Sequence, residues 1–167
     1  MNTRPTRLSS KKPKKPKKPK KWNAAKSKRK LDKLFSELIH LMDHNLCQRC
    51  GKSYGKLDTS HCIPRECLCL RWNTENAILL CPRCHKFGSA SWHKSPLEAV
   101  FWFNLVFTER QLRLVQLKRQ GEEYVFDEPE ALRIESFLKS QIKNYATIET
   151  PGTVPCKKKD YKEGQNG

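Results

Sequence analysis

The chain has 167 residues, 34 Lys/Arg against 17 Asp/Glu, a formal net charge of +17 and eight cysteines. That length suits one domain with tails. No run approaches the roughly 18 apolar residues of a membrane span, and the first residues hold no apolar stretch of the kind a secretory leader needs, so neither a membrane partner nor a disulfide scaffold is expected. The charge is lopsided: residues 1–30 carry fourteen Lys/Arg and no acid, and the remainder is nearly balanced.

Residues 1–30 read as a disordered basic tail. Lys11 to Lys21 repeats lysine pairs between prolines, with nothing apolar to bury. Proline at every third position matches the three-residue turn of polyproline II. Such a polycation binds nucleic-acid backbone by counterion release, with Lys14, Lys15, Lys17 and Lys18 as contacts. A solubility tail, or a nuclear address in a eukaryotic cell, is the competing reading. Trp22 beside it is a candidate for base stacking.

From Ser27 to about His44 the pattern turns helical. Leu31, Leu34, Leu38 and Leu41 recur at steps of three and four, with Phe35 and Met42 widening the stripe. Residues 46–91 then hold two knuckles, Cys47-Gln48-Arg49-Cys50 and Cys81-Pro82-Arg83-Cys84. Each places two thiolates at the tip of a tight turn, and two such turns complete a tetrahedral zinc site. A purely structural ribbon spaces its pairs by roughly 15–20 residues; here 30 residues separate Cys50 from Cys81. The insert predicts a strand over Leu57–Ile63, closed by Pro64, and a second over Ala77–Leu80. A short helix should start within the second knuckle and carry His85. Cys62 reads as a core-facing strand residue and Cys67 and Cys69 as loop residues. A second metal site on that Cys-x-Cys pair lacks obvious partners.

Ser95-Pro96-Leu97-Glu98 has the form of a capping box opening a helix. The run Ala99 to Phe107 is apolar on nearly every face and is expected to be well buried. Thr108-Glu109-Arg110-Gln111 is a second box, for a helix ended by Gly121. Asp127-Glu128-Pro129-Glu130 starts a third, running to about Tyr145. From Thr147 onward a frayed tail is expected. The domain reading is therefore a tail at 1–30, a module with leading and trailing helices at 31–121, a helical extension at 122–146 and a flexible tail at 147–167.

The insert also carries candidate chemistry. His61, at a strand end, has the near-neutral pKa of a group that deprotonates water. A hard divalent cation would neutralise a scissile phosphate and stabilise the leaving oxyanion. His85, directly after the second knuckle, is placed to ligate it, and the Asn76 amide to bridge the loop and hold His61. Arg65 and Arg71 flank the loop and are candidates to grip phosphates. Haem attachment through the Cys-x-x-Cys-His of the second knuckle is excluded by the paired knuckles and reduced thiols, which point to zinc.

These residues resemble the HNH (ββα-metal) endonuclease superfamily, and the wider stretch is similar to phage HNH proteins around the recombination protein NinG (Rap) family. The likeness covers about residues 31–120. It rests on Asp32 to Ser36, Cys47 to Gly51, Ser60-His61 with Arg65, Arg71 to Asn76, Cys81 to His85, and Trp92 to Pro96. It implies an α+β fold in which a zinc-stapled ββα-metal module is flanked by helices. It further implies a nuclease that cuts DNA with Mg²⁺ or Mn²⁺ in phage recombination or DNA processing, with branched or flap DNA as a substrate, in the cytoplasm of an infected bacterium. His61 would match the general base, Asn76 the middle Asn and His85 the metal ligand. Cys47, Cys50, Cys81 and Cys84 would match the structural zinc ligands. One position departs: many HNH enzymes put an acidic metal ligand directly before the base, where this chain has Ser60. Asp58, two residues earlier on the same strand face, is the nearest substitute, with His93 and Glu66 as others. A homodimer through the apolar helix is open. So is a non-catalytic zinc-ribbon regulator that binds DNA or RNA, which the Ser60 departure and the basic tail favour.

Overall fold

The structure is a computed structural model that describes residues 21–148. The expectations for Lys14, Lys15, Lys17 and Lys18 and for the C-terminal tail beyond Ile148 lie outside the described residues. Among the described residues the architecture is α+β, four α-helices around one small sheet. In chain order these are α1 (Ala24–Met42), β1 (Asp58–His61), β2 (Ala77–Leu80), α2 (Pro96–Val106), α3 (Arg110–Gln120) and α4 (Glu128–Ile148). None of these helices is long and apolar enough to cross a membrane.

Helix α1 starts earlier than its leucine pattern indicates, inside the segment read as tail. The Asn23 side chain caps it by accepting from the Lys26 N–H at 2.9 Å, satisfying one of the free donors of the first turn. Its buried stripe is Leu31, Phe35, Leu38 and Ile39. That stripe is turned slightly from the leucine row, because the core is set by what packs opposite. The partner is α4, which contributes Ala131, Ile134 and Leu138 to the same cluster. Residues 128–148 are thus part of the core and not an appendage. Trp22 packs its ring near Phe126, at 6.1 Å between centroids.

The two strands pair antiparallel in the register Asp58↔Leu80, Thr59↔Leu79, Ser60↔Ile78 and His61↔Ala77. Four pairs make a ribbon too short to stand alone in water, so both faces are covered. Side chains alternate along a strand, and the alternation splits the core in two. Ala77 and Leu79 face α1 and α4, while Ile78 and Leu80 join Cys47, Cys81, Phe103 and Leu114 on the other side. The Asp43 carboxylate, just past α1, accepts from the Leu79 N–H at 2.6 Å. On the same edge Arg110 donates to the carbonyls of Thr74 and Ala77 at 2.8 and 2.7 Å, pinning α3 to the turn before β2.

Two expectations fail at α2 and α3. The apolar run is not well buried: only Ala99 and Phe103 of α2 are, while Leu97 is 87% and Phe101 68% exposed. All-round apolarity requires neighbours on every side, and among the described residues α2 has them on one side only. The capping boxes also do not form, since neither Ser95 nor Glu109 makes a side-chain cap bond and α3 begins at Arg110. Asp127 does cap α4, accepting from the Glu130 N–H at 2.9 Å. Gly121 does end α3, but by close approach: a Cβ there would lie 2.5 Å from the Cys69 sulfur.

Candidate functional site

The four knuckle cysteines converge. Their sulfurs lie within 4.8 Å of one another, and those of Cys50 and Cys81 are 3.7 Å apart. Four sulfurs each about 2.3 Å from a zinc ion stand about 3.8 Å from one another, so the cluster has the size of a tetrahedral metal site. Gly51, at φ +69°, closes the first turn with its N–H on the Cys47 carbonyl at 2.8 Å. Burial pushes the Cys84 thiol up. At Cys81 burial is outweighed by hydrogen bonds from Cys84, and the thiol falls to about 7. The Gln48 N–H donates to the Leu79 carbonyl at 2.9 Å, so the cluster is fastened to the sheet.

His61 ends β1 on the α1 side, its ring 5.5 Å from that of Phe35. Its Nε2 lies 3.0 Å from the Arg71 carbonyl oxygen. A carbonyl only accepts, so Nε2 carries the proton and Nδ1 holds the free lone pair. Burial is the main cause holding this imidazole below its ordinary 6.5, assisted by the cationic Arg65 and opposed by the Arg71 carbonyl. The loop supplying that carbonyl is clamped by Asn76, which is fully buried. Its Oδ1 accepts from the Ile63 N–H at 2.7 Å, and its Nδ2 donates to the carbonyls of Ile63 and Leu70 at 3.0 and 2.9 Å. Asn76→Ala leaves these buried groups unpaired, and each costs about 1–3 kcal/mol. Thermal or urea unfolding is therefore expected to show a loss of about 3 kcal/mol, against little change for a substitution at exposed Glu66.

Arg71 is not free to grip a phosphate. Its Nε and Nη2 donate to the Asp32 carboxylate at 2.9 and 2.7 Å, and its Nη1 to the Arg65 carbonyl at 3.0 Å. Asp32 also accepts from the Trp72 indole at 3.0 Å. Burial works against the charge on Asp32, yet the Arg71 grip holds its carboxyl below the usual range. This α1-to-loop clasp is absent from the functional reading of the sequence. One signal could have found it: Asp32 is the sole acid among residues 24–36. The Arg65 side chain stays exposed.

His85 lies in a short π-type turn, Arg83–Phe87, anchored by its own N–H on the Cys81 carbonyl at 2.8 Å. The Asp58 carboxylate meets His85 Nδ1 at 3.1 Å, and His93 Nε2 meets His85 Nε2 at 3.1 Å. Lys56 and Lys86 reach Asp58 at 3.6 and 3.2 Å. Burial holds His85 below the ordinary imidazole value, and at Asp58 the bonds from His85 and Lys86 outweigh burial and depress the carboxyl. Asp58 and His61 are three residues apart on β1 and so project from opposite faces. The structure thus joins Asp58, His85 and His93 in one group, and His61, Asn76 and Arg71 in another. Among the described residues no hydrogen bond or ring contact links His61 to His85.

Fold and cluster together define an α+β protein in which two knuckles, whose four thiols could hold a metal ion, bracket a histidine-bearing strand. Compared with family models, curated proteins and solved structures, the chain matches none.

Proposed function

We propose that this protein is a metal-dependent endonuclease of the HNH type that hydrolyses phosphodiester bonds in DNA, in phage recombination or DNA processing, with a structural zinc ion on Cys47, Cys50, Cys81 and Cys84. The observation that carries the reading is the setting of His61. It is a neutral imidazole, oriented by the Arg71 carbonyl, whose remaining nitrogen is a lone pair. Such a group takes a proton from an attacking water. Asn76 keeps the carbonyl in place, and exposed Arg65 next to it is available to a phosphate oxygen. His85 fits a divalent cation, with Asp58 against its Nδ1. Such an ion would supply charge stabilisation for the leaving oxygen.

The test is relaxation of supercoiled plasmid with Mg²⁺, Mn²⁺ or Co²⁺, and with EDTA. Metal-dependent nicking supports the reading, and branched and flap substrates follow. The pH profile adds a sign. His61 must be neutral to act, and its depressed pKa keeps it neutral as the pH falls through 6.5. The acid limb of the rate should therefore be half-maximal below pH 6.5; a midpoint at or above that value would assign the limb to another group.

One observation favours a second reading. His61 and Asp58, the partner of His85, leave β1 on opposite faces, so the two histidines do not converge on one reacting atom, which suits a knuckle protein that binds DNA or RNA without cutting it. A salt-sensitive gel shift with no nicking under any cation would decide for that reading.

A further inference from the structure

Helix α2 carries an apolar face with no cover among the described residues. Leu97 and Phe101 are joined on it by Leu105, 67% exposed, and Val100, 44%. With Asn104 they fall within an arc of about 140° of the helix. The opposite arc holds Ala99 and Phe103, which are buried in the core. Single exposed apolar residues are ordinary, whereas a contiguous patch rimmed by polar groups marks an interaction site. Here the rim is charged: Glu98 on the helix, Lys94 just before it and Glu109 just after it are all exposed.

We infer that this face is a homodimer interface, in which α2 packs antiparallel on α2 of a second copy about a two-fold axis at Phe101. The face reads the same in both directions, with Leu97, Phe101 and Leu105 at four-residue steps. Antiparallel pairing therefore sets Leu97 on the second copy's Leu105, and Phe101 on its own counterpart. That is the self-complementarity an isologous interface needs. Rows at four-residue spacing are also the ridges by which helices most often interdigitate. A ring pair at the axis adds to what its area alone would give. The same pairing brings Lys94 of each copy towards Glu109 of the other, so the rim charges are complementary.

Size and composition favour a second copy over another segment of the same chain. The four apolar side chains leave on the order of 500 Å² in water, and two copies together about 1,000 Å², the lower bound of a specific interface. Residues 1–20 and 149–167 hold Met1, Leu8, Val154 and Tyr161 as their only large apolar side chains, with no spacing that would form an apolar stripe against α2. The pairing does not rest on the nuclease reading. It does bear on the site, because α2 begins directly after the His85 turn. Lys94, two residues before α2, donates from its Nζ to the Phe87 carbonyl at 3.1 Å, so the dimer ties the His85 turns of the two copies into one frame.

The test is sedimentation of the full, zinc-loaded chain across the micromolar range, at low and at high salt. The expected result is a mass that rises towards twice that of the chain and holds or grows at high salt, because salt screens the repulsion between two chains of +17. Bridging by carried-over nucleic acid would instead dissolve at high salt, and a dimer seen at low salt alone overturns the interface. Phe101→Glu and Phe101→Lys each set like charges against one another at the axis, so each should be monomeric. Zinc content and circular dichroism should match the wild type, since the ring is exposed. Mixed in equal amounts, the two variants should associate again, because opposite charges then meet. Leu132→Glu, at an exposed position of α4, should stay dimeric. A wild type that is monomeric throughout, whether or not α2 binds a different protein, would overturn the interface. So would Phe101→Glu that dimerises as the wild type does, or mixed variants that stay apart. Nicking by a monomeric wild type would remove the dimer and keep the nuclease. A dimer that does not nick would keep the interface and remove the nuclease.

Discussion

His61→Ala is expected to lower the rate of metal-dependent plasmid nicking by about 10²–10⁴-fold, the range a positioned general base contributes. The size follows from geometry. One ring nitrogen is committed to the Arg71 carbonyl at 3.0 Å, so the other can only act as acceptor. Burial keeps the ring neutral at pH 7, and the ring is half-buried against Phe35, so a substitute water would be poorly aimed. The alanine also removes a ring contact, and the loss in stability has to be measured beside the rate. His61→Gln refines the result. Its amide can still donate to Arg71 but cannot take up a proton, so it should restore stability without restoring nicking. Nicking by His61→Ala at the wild-type rate would remove His61 from the chemistry and leave the binding-only reading.

Stripping the knuckle metal, or replacing Cys81 with serine, is expected to produce the largest loss of stability in the molecule. Structural zinc in small modules contributes apparent free energies of about 10–16 kcal/mol at neutral pH. Here the sheet has four residue pairs, and one of its two core clusters includes the buried sulfurs of Cys47 and Cys81. Without an ion, four crowded thiols must stay protonated or repel. The hairpin, the His85 turn and the packing of α2 and α3 should then melt together. Helices α1 and α4 pack through the other cluster, so part of the helical signal should persist. Circular dichroism with EDTA, followed by Zn²⁺ addition, checks this: the tertiary signal should vanish and return. A melting curve unchanged by EDTA, with no zinc detected in the protein, would show that the thiols are not a metal site.

The readable features of the site were those set by short spacing. Two residues between cysteines put both sulfurs on one turn wherever that turn sits, so the four-thiol cluster could be expected from Cys47, Cys50, Cys81 and Cys84 alone. Ala77–Leu80 was readable as a strand because four apolar residues were bounded by an asparagine and a knuckle. That Asp58 and Ser60 share a face, with His61 on the other, follows from strand alternation. The placement of His61 and His85 on different sides of the sheet was not anticipated, although that alternation separates Asp58, the partner of His85, from His61. The basic charge of residues 1–30 is likewise a property of composition.

What the sequence by itself determined, then, is local: the α+β class, the knuckles, and the starts of α2 and α4. Tertiary structure alone decided which long-range partners meet. Asp32 reaches Arg71 across 39 positions and Asp58 reaches His85 across 27, and no periodicity encodes such a pairing. It also decided burial. The apolar run of α2 and the leucines of α1 carry similar hydrophobic signals, yet α1 gains α4 as a cover while the outer face of α2 gains none among the described residues. Burial depends on the neighbours that the rest of the fold delivers. Capping boxes failed at Ser95 and Thr108 for the same reason. A box has the right residues, but the angle at which each helix leaves the knuckle or abuts Arg110 is set by packing, which outweighs the roughly 1 kcal/mol of a cap.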